Sequence, residues 1–230
     1  MYATEVDNQK LTFHVSGMLW NRSLIMRDLE TGSLWSHILG RCVKGKLHKT
    51  ELEILPSVIT DWKTWKINHP ETDVMVLSRT FHVFKKDFYK DKTIFGVGMV
   101  KDDKSKIWSF DGLSKTPLRN ETFHGSKFVL WFDEETGGAW AWDRNVGNDL
   151  LDFEMKDGKI VDKKSGSTWN LMLGHATEGA MKGKLLKNVI VIPTFQQAWR
   201  KFHPDTEIWP KDDKYDPAND IGNKGGLIPD

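Results

Sequence analysis

The chain has 230 residues, and its 33 Lys plus Arg against 32 Asp plus Glu leave a net charge of +1. Charges so balanced and interspersed offer no electrostatic footprint for DNA, RNA or an anionic membrane surface. Cys42 is the only cysteine, which excludes intrachain disulfides and thiolate metal pairs, and no apolar run approaches the ~18 residues of a membrane span.

Leu24 to Met26 reads as a strand that meets the turn Asp28 to Gly32 and returns through Ser33 to Trp35. Gly32 supplies the positive φ that closes such a loop, and Asp28 is placed to accept backbone N–H groups across it. After a glycine-rich stretch comes a β-branched run, Ile54 to Ile59. Thr60 is then a good N-cap, Trp62 and Trp65 make the buried face of a short helix, and His69-Pro70 stops it. Thr93 to Val100, Lys106 to Phe110 and Lys127 to Phe132 are strands, the last returning through Asp133 to Gly138 into Ala139 to Asp143. Leu150 to Met155 pairs with Lys159 to Val161. The early signals then recur: the turn Asp162 to Gly166, the run Val189 to Ile192, and an N-cap at Thr194 whose capping box is completed by Gln197. Phe195, Ala198, Trp199 and Phe202 share one helical face, and His203-Pro204 ends it. From Pro210 onward the chain is polar and is expected to be mobile or draped on the surface.

That recurrence is an internal duplication. Asp28 to Met75 aligns with Asp162 to Trp209 at a constant offset of 134, without a gap, and 13 of the 48 positions are identical. The pattern predicts a β-rich α+β protein of two similar lobes, built as antiparallel sheets or small barrels, each with a short capped helix. The expected division is 1–90 for the first lobe, 91–209 for the second and 210–230 for the polar tail. Strands precede the second copy's hairpin, whereas only Met1 to Lys10 precedes Leu11-Thr12-Phe13. The first lobe is therefore expected to be N-terminally shortened and short of a leading hairpin. An open sheet edge of that kind invites self-association, pairing with another chain or covering by the tail.

Four stretches carry a family resemblance: Leu11 to Gly17, Asp28 to Ser36, Gly166 to Asn170 and Phe202 to Thr206. They resemble the family of domains of unknown function numbered 3179, over most of residues 11–209. The family has no established activity to carry over. Its typical members show a paired-cysteine segment ahead of the part matching Leu11; this chain has none, so thiol or metal chemistry of that segment is not implied here. Many members resemble exported proteins, which implies export of longer forms. Met1 to Glu5 itself has neither the basic nor the apolar region of a signal peptide, so location stays open.

Duplication also ranks the residues. Positions identical in both copies are expected to serve the shared scaffold: Trp35 and Trp169, Trp65 and Trp199, Pro70 and Pro204. His69 and His203 carry two readings, as partners of free carbonyls in a last helical turn or as ligands and proton carriers. Arg41 and His175 stand at equivalent places after a shared Leu-Gly; they either line one anion-binding cleft between the lobes or sit on exposed loops. Cys42 faces Ala176 in the duplicate, which suggests a small buried site. Trp140 and Trp142 share a strand face, for a core or for stacking on a sugar ring. There is no HxH, HxxxH, HExxH, GxGxxG, GxSxG, phosphate-loop or EF-hand pattern.

The reading that follows is a non-catalytic binding or interaction protein for a small molecule or a protein, with no cofactor and no nucleic acid. The alternative is an enzyme or metal-binding protein whose site between the lobes uses Arg41, His69, His175 and His203. Gathering of those four side chains in one cleft would favour the alternative.

Overall fold

A computed structural model describes residues 1–21, 23–74 and 92–216. The first repeat opens on a small hairpin, β1 (Glu5–Val6) and β2 (Gln9–Lys10). A four-stranded antiparallel meander follows: β3 (Phe13–Trp20), β4 (Ser23–Asp28), β5 (Leu34–Ser36) and β6 (Arg41–Lys44). Helix α1 (Trp62–Asn68) closes the repeat.

The second part begins with the hairpin β7 (Phe95–Lys101) and β8 (Lys104–Ser109), then α2 (Phe110–Lys115). A three-stranded sheet comes next, β9 (Leu118–Phe123), β10 (Ser126–Asp133) and β11 (Gly138–Asp143), followed by the small hairpin β12 (Asn145–Val146) and β13 (Asp149–Leu150). The second meander is β14 (Phe153–Lys156), β15 (Lys159–Asp162), β16 (Thr168–Asn170) and β17 (His175–Glu178). The chain continues through β18 (Ile192–Phe195), α3 (Gln196–Phe202) and β19 (Glu207–Trp209). β18 and β19 return to flank the early hairpin, giving a sheet of order β18-β7-β8-β19 in which only the β8–β19 pair is parallel. The expectation of β-rich α+β architecture holds, but the small barrels do not form. Every sheet among the described residues is open, since three or four short strands are too few to close on themselves.

The two meanders repeat each other in detail. Gly32 and Gly166 take φ of +71° and +70° at the same turn. In each turn the Asp side chain accepts a backbone N–H three residues on, from Thr31 at 2.5 Å and from Ser165 at 2.6 Å. Phe13 meets the Trp35 ring edge-on at 5.5 Å, and Phe153 meets Trp169 in the same way at 5.6 Å. Gly45 and Gly179 lie so close over Ser33 and Ser167 that an added Cβ would fall 2.6 Å from either hydroxyl. These shared contacts explain why the same residue types stand at both places.

Strand alternation divides the core. On β10, Phe128, Leu130 and Phe132 point to one side, where they pack with Val97, Trp108, Phe110 and Leu113. Val129 points to the other, against Leu151, Phe153, Trp169 and Leu186 of the second meander. The three-stranded sheet is therefore covered on both faces. The first meander has its own smaller core of Val6, Leu11, Trp35, Cys42 and Leu52.

The helices depart from expectation in two ways. Both N-caps lie one residue after the expected Thr60 and Thr194. Asp61 caps α1, its carboxylate accepting the Thr64 N–H at 2.6 Å, while Thr194 is drawn into β18 opposite Gly96, leaving Phe195 as an N-cap with no side-chain bond. The buried face predicted for α1 is also absent. α3 buries Gln196, Ala198 and Trp199, but α1 buries none of its residues, and Trp62 is 46% exposed. The cause is tertiary: α3 lies on β7 and β8, whereas α1 has no such sheet beneath it among the described residues.

Residues 210–216 lie against α3. Asp213 pairs with Arg200 at 2.7 Å, and the Arg200 guanidinium sits 4.3 Å over the Tyr215 ring. The lobe boundary at 90/91 and tail residues 217–230 lie outside the described residues. No helix is long and apolar enough to cross a membrane, again among the described residues.

Candidate functional site

Each helix ends over the other repeat. Asn68, in the last turn of α1, accepts from Asn170 at 3.4 Å and donates to the Met172 sulfur at 3.6 Å. Phe202, its counterpart in α3, packs edge-on to Trp20 of the first meander at 4.8 Å. This reciprocal contact leaves cavities on the seam between the repeats.

One of them holds about 440 Å³ and lies between α1 and β11. Its walls include Trp65 from the helix, Trp140 and Trp142 from β11, and Met172, Val189 and Val191 from the second repeat. Trp140 and Trp142 share a face because they are two residues apart on one strand. The Trp142 indole is fixed by its N–H bond to the Leu171 carbonyl at 2.6 Å. Thr64, His69 and Asn188 also line the space, and none of their side chains has a hydrogen-bond partner among the described residues. Among the described residues no Asp, Glu, Lys or Arg side chain lines it, and the Met1 ammonium on its lining donates to the Ser57 hydroxyl at 3.1 Å.

His69 and His203 are the C-caps of α1 and α3. Their backbone N–H groups bond the carbonyls of Trp65 and Trp199, both at 2.8 Å. Among the described residues their rings bond no free carbonyl as expected; they pack on the same tryptophans, His69 stacked at 4.0 Å between centroids and His203 tilted by 42° at 4.3 Å. The indoles are tethered in turn, Trp65 to the Thr72 hydroxyl at 3.1 Å and Trp199 to that of Thr206 at 2.9 Å. Four of the identities between the copies thus belong to one helix-stop device of Trp, His, Pro and Thr.

The four predicted site residues do not gather in one cleft. Arg41 and His203 share a cavity of about 480 Å³ between the first meander, the β7–β8 turn and the end of α3, with Glu51 and Asp103 also on its lining. Burial, and next the charge of Arg41, hold the His203 imidazole below its usual pKa. His69 lines the indole-walled cavity instead, and His175, at the start of β17, lines neither. No group of three or more His, Cys, Asp and Glu stands at metal-binding distance among the described residues. Cys42 is buried and its thiol is pushed up in pKa chiefly by that burial.

Sequence reasoning singled out Trp140, Trp142 and His69 but did not join them, and it passed over Thr64 and Asn188. Divergence between the copies was the available signal: Thr64 stands against Ala198, and Asn188 against Ile54.

The sequence model for proteins of unknown function, DUF3179, matches this chain twice, over residues 1–94 and 79–206. Neither the curated proteins nor the solved structures yielded a match. A family match that spans residues 1–206 shows that the chain belongs to the DUF3179 family of proteins of unknown function.

Proposed function

We propose that this protein is a non-catalytic binding protein whose ligand is a small, neutral, mainly apolar molecule held between α1 and β11. The observation that carries the reading is the cavity walled by Trp65, Trp140 and Trp142, with the polar groups of His69, Thr64 and Asn188 on its lining. Concave sites of a few hundred Å³ with apolar walls and a few convergent polar groups are the usual form of small-molecule sites. Ligand-observed NMR with a panel of small neutral aromatic and alicyclic compounds tests it. Saturable binding is expected, lost in Thr64→Phe, which fills the space from a half-buried position on α1. Retained binding in that variant, or none across the panel, rejects the reading.

A second reading keeps the alternative of a His/Arg-lined site, reduced to the pair that shares a cavity. Arg41 beside His203 supports an anion contact between the repeats. It remains the less supported of the two, because Glu51 and Asp103 line the same space.

A further inference from the structure

The second meander carries an open groove of about 400 Å³ where β10 meets β15, β16 and β17. Trp131 and Leu171 are among its apolar residues, and Lys159, Thr168, Thr177 and Glu178 are among its polar ones. Trp131 stands on β10 between Trp140 of β11 and Leu118 of β9, and it is half-buried against the second core. That packing holds the indole as a rigid plate while part of it lines the groove.

The polar groups are already linked to one another. Lys159 Nζ donates to Glu178 Oε2 at 3.0 Å, and the Thr168 hydroxyl donates to the same oxygen at 3.3 Å. The Thr177 hydroxyl donates to the Thr168 carbonyl at 3.2 Å. The bond from Lys159 and its charge, then the Thr168 hydroxyl, hold the Glu178 carboxyl below its usual pKa, so it is an acceptor at neutral pH. The Lys159 and Glu178 side chains are 56% and 62% exposed, and a pair so open to water adds little stability. Among the described residues the two share one bond, which leaves further ammonium hydrogens and Glu178 Oε1 for a ligand.

Duplication separates these groups from the scaffold. Trp35 and Trp169 are identical between the meanders, whereas Thr168, Thr177 and Glu178 stand against Leu34, Val43 and Lys44. The same four-stranded meander forms in both copies, so the fold requires neither the two hydroxyls nor the carboxylate.

We propose that this groove binds a neutral pyranose unit of a carbohydrate. A pyranose has a face of C–H groups that packs on an indole, and around its rim are hydroxyls that each donate and accept. Trp131 supplies the plate. Lys159, Glu178 and the two threonines supply donors and acceptors for neighbouring hydroxyls. The opposite charges of Lys159 and Glu178 offset each other, which suits an uncharged sugar better than a sugar acid. Met172 borders both this groove and the cavity between α1 and β11, but the sugar site uses none of that cavity's tryptophans.

The probe is a panel of neutral oligosaccharides of glucose, galactose, mannose and N-acetylglucosamine, read by saturation-transfer NMR and titration calorimetry. Saturable binding of at least one member is expected. Trp131→Leu keeps an apolar side chain but removes the flat ring, and it should weaken binding on the order of tenfold or more. Thr168→Leu, Thr177→Val and Glu178→Lys, made together, install what the first meander already carries. They should weaken binding as much and leave the urea unfolding midpoint in place; if Trp131→Leu does not fold, this triple variant decides. No binding across the panel overturns the proposal, as does binding that survives in the folded triple variant. Sugar binding lost in Thr64→Phe but kept in Trp131→Leu also overturns it, because the sugar then sits between α1 and β11.

Discussion

Asp28 accepts the indole N–H of Trp35 at 2.8 Å in a site where both residues are fully buried, and Asp162 does the same for Trp169 at 2.9 Å. One carboxylate thereby closes the hairpin turn with one oxygen and anchors the core tryptophan with the other. The arrangement explains why Asp, Gly and Trp recur at the same spacing in both copies.

Burial pushes these two carboxyls up in pKa, but the bonds they accept outweigh it and hold both below the ordinary value. For Asp28 the donors are the Trp35 indole and the Thr31 and Gly32 groups; for Asp162 they are Ser165, Trp169 and Lys164. A carboxyl depressed in the folded state stabilises fully above its unfolded pKa of about 3.9 and loses that contribution as pH falls through the folded value. Asp28→Asn and Asp162→Asn should each cost roughly 1.5–3 kcal/mol at neutral pH and distinctly less at pH near 2. Urea unfolding at the two pH values checks this; an equal loss at both would mean that the charge is not what counts.

Trp65 and Trp199 are identical in sequence and unequal in burial. Trp199→Ala should cost about 3–5 kcal/mol, as a large cavity in a packed region does. Trp65→Ala should cost less than half as much. Equal shifts in denaturant midpoint would show that α1 is as firmly seated as α3.

Gly98 permits the close approach of Trp199, so Gly98→Ala should cost about 1–3 kcal/mol by overpacking, shown by thermal unfolding. Gly166 has φ of +70° and nothing within 4 Å of an added Cβ. Gly166→Ala is therefore strained only in its backbone, at about 1–2 kcal/mol. Rescue by a smaller ring, Trp199→Phe, is expected for the first variant and not for the second.

His203 is held low in pKa by burial and then by Arg41. A histidine depressed in this way favours the folded state above its unfolded pKa of about 6.5, and that contribution is lost as pH falls through the folded value. Arg41→Gln removes the repulsion, so the His203 titration followed by NMR should move upward. Inorganic phosphate at the Arg41 cavity should move it in the same direction in the wild-type protein. No movement in the variant would show that the two side chains do not feel each other.

Much of the scaffold was legible because it is local or can be read by comparing the chain with itself. The turn at Asp28 to Gly32 follows from residues within one hairpin, and its recurrence at Asp162 to Gly166 identifies it as scaffold. The helix stops at His69-Pro70 and His203-Pro204 likewise follow from what proline forbids. The N-caps were misplaced by a residue because Thr194 obeys the ladder to Gly96 before it obeys the helix. The burial predicted for Trp62 failed because amphipathic spacing records which residues can share a face, not whether anything covers it.

Sequence alone determined the doubled plan, the β-rich class and the roles of Asp28, Trp35 and their counterparts, because turn chemistry and repetition are written in the order of residues. Tertiary structure decided the rest. It set Arg41 beside His203 and apart from His69 and His175, it put Trp65, Trp140 and Trp142 around one space, and it buried one helix while leaving its twin open. Those outcomes depend on how two nearly equivalent units pack against each other, and the contacts across that seam join residues a hundred positions apart or more, as Asn68 and Asn170 and Trp20 and Phe202 are. No spacing rule reaches so far.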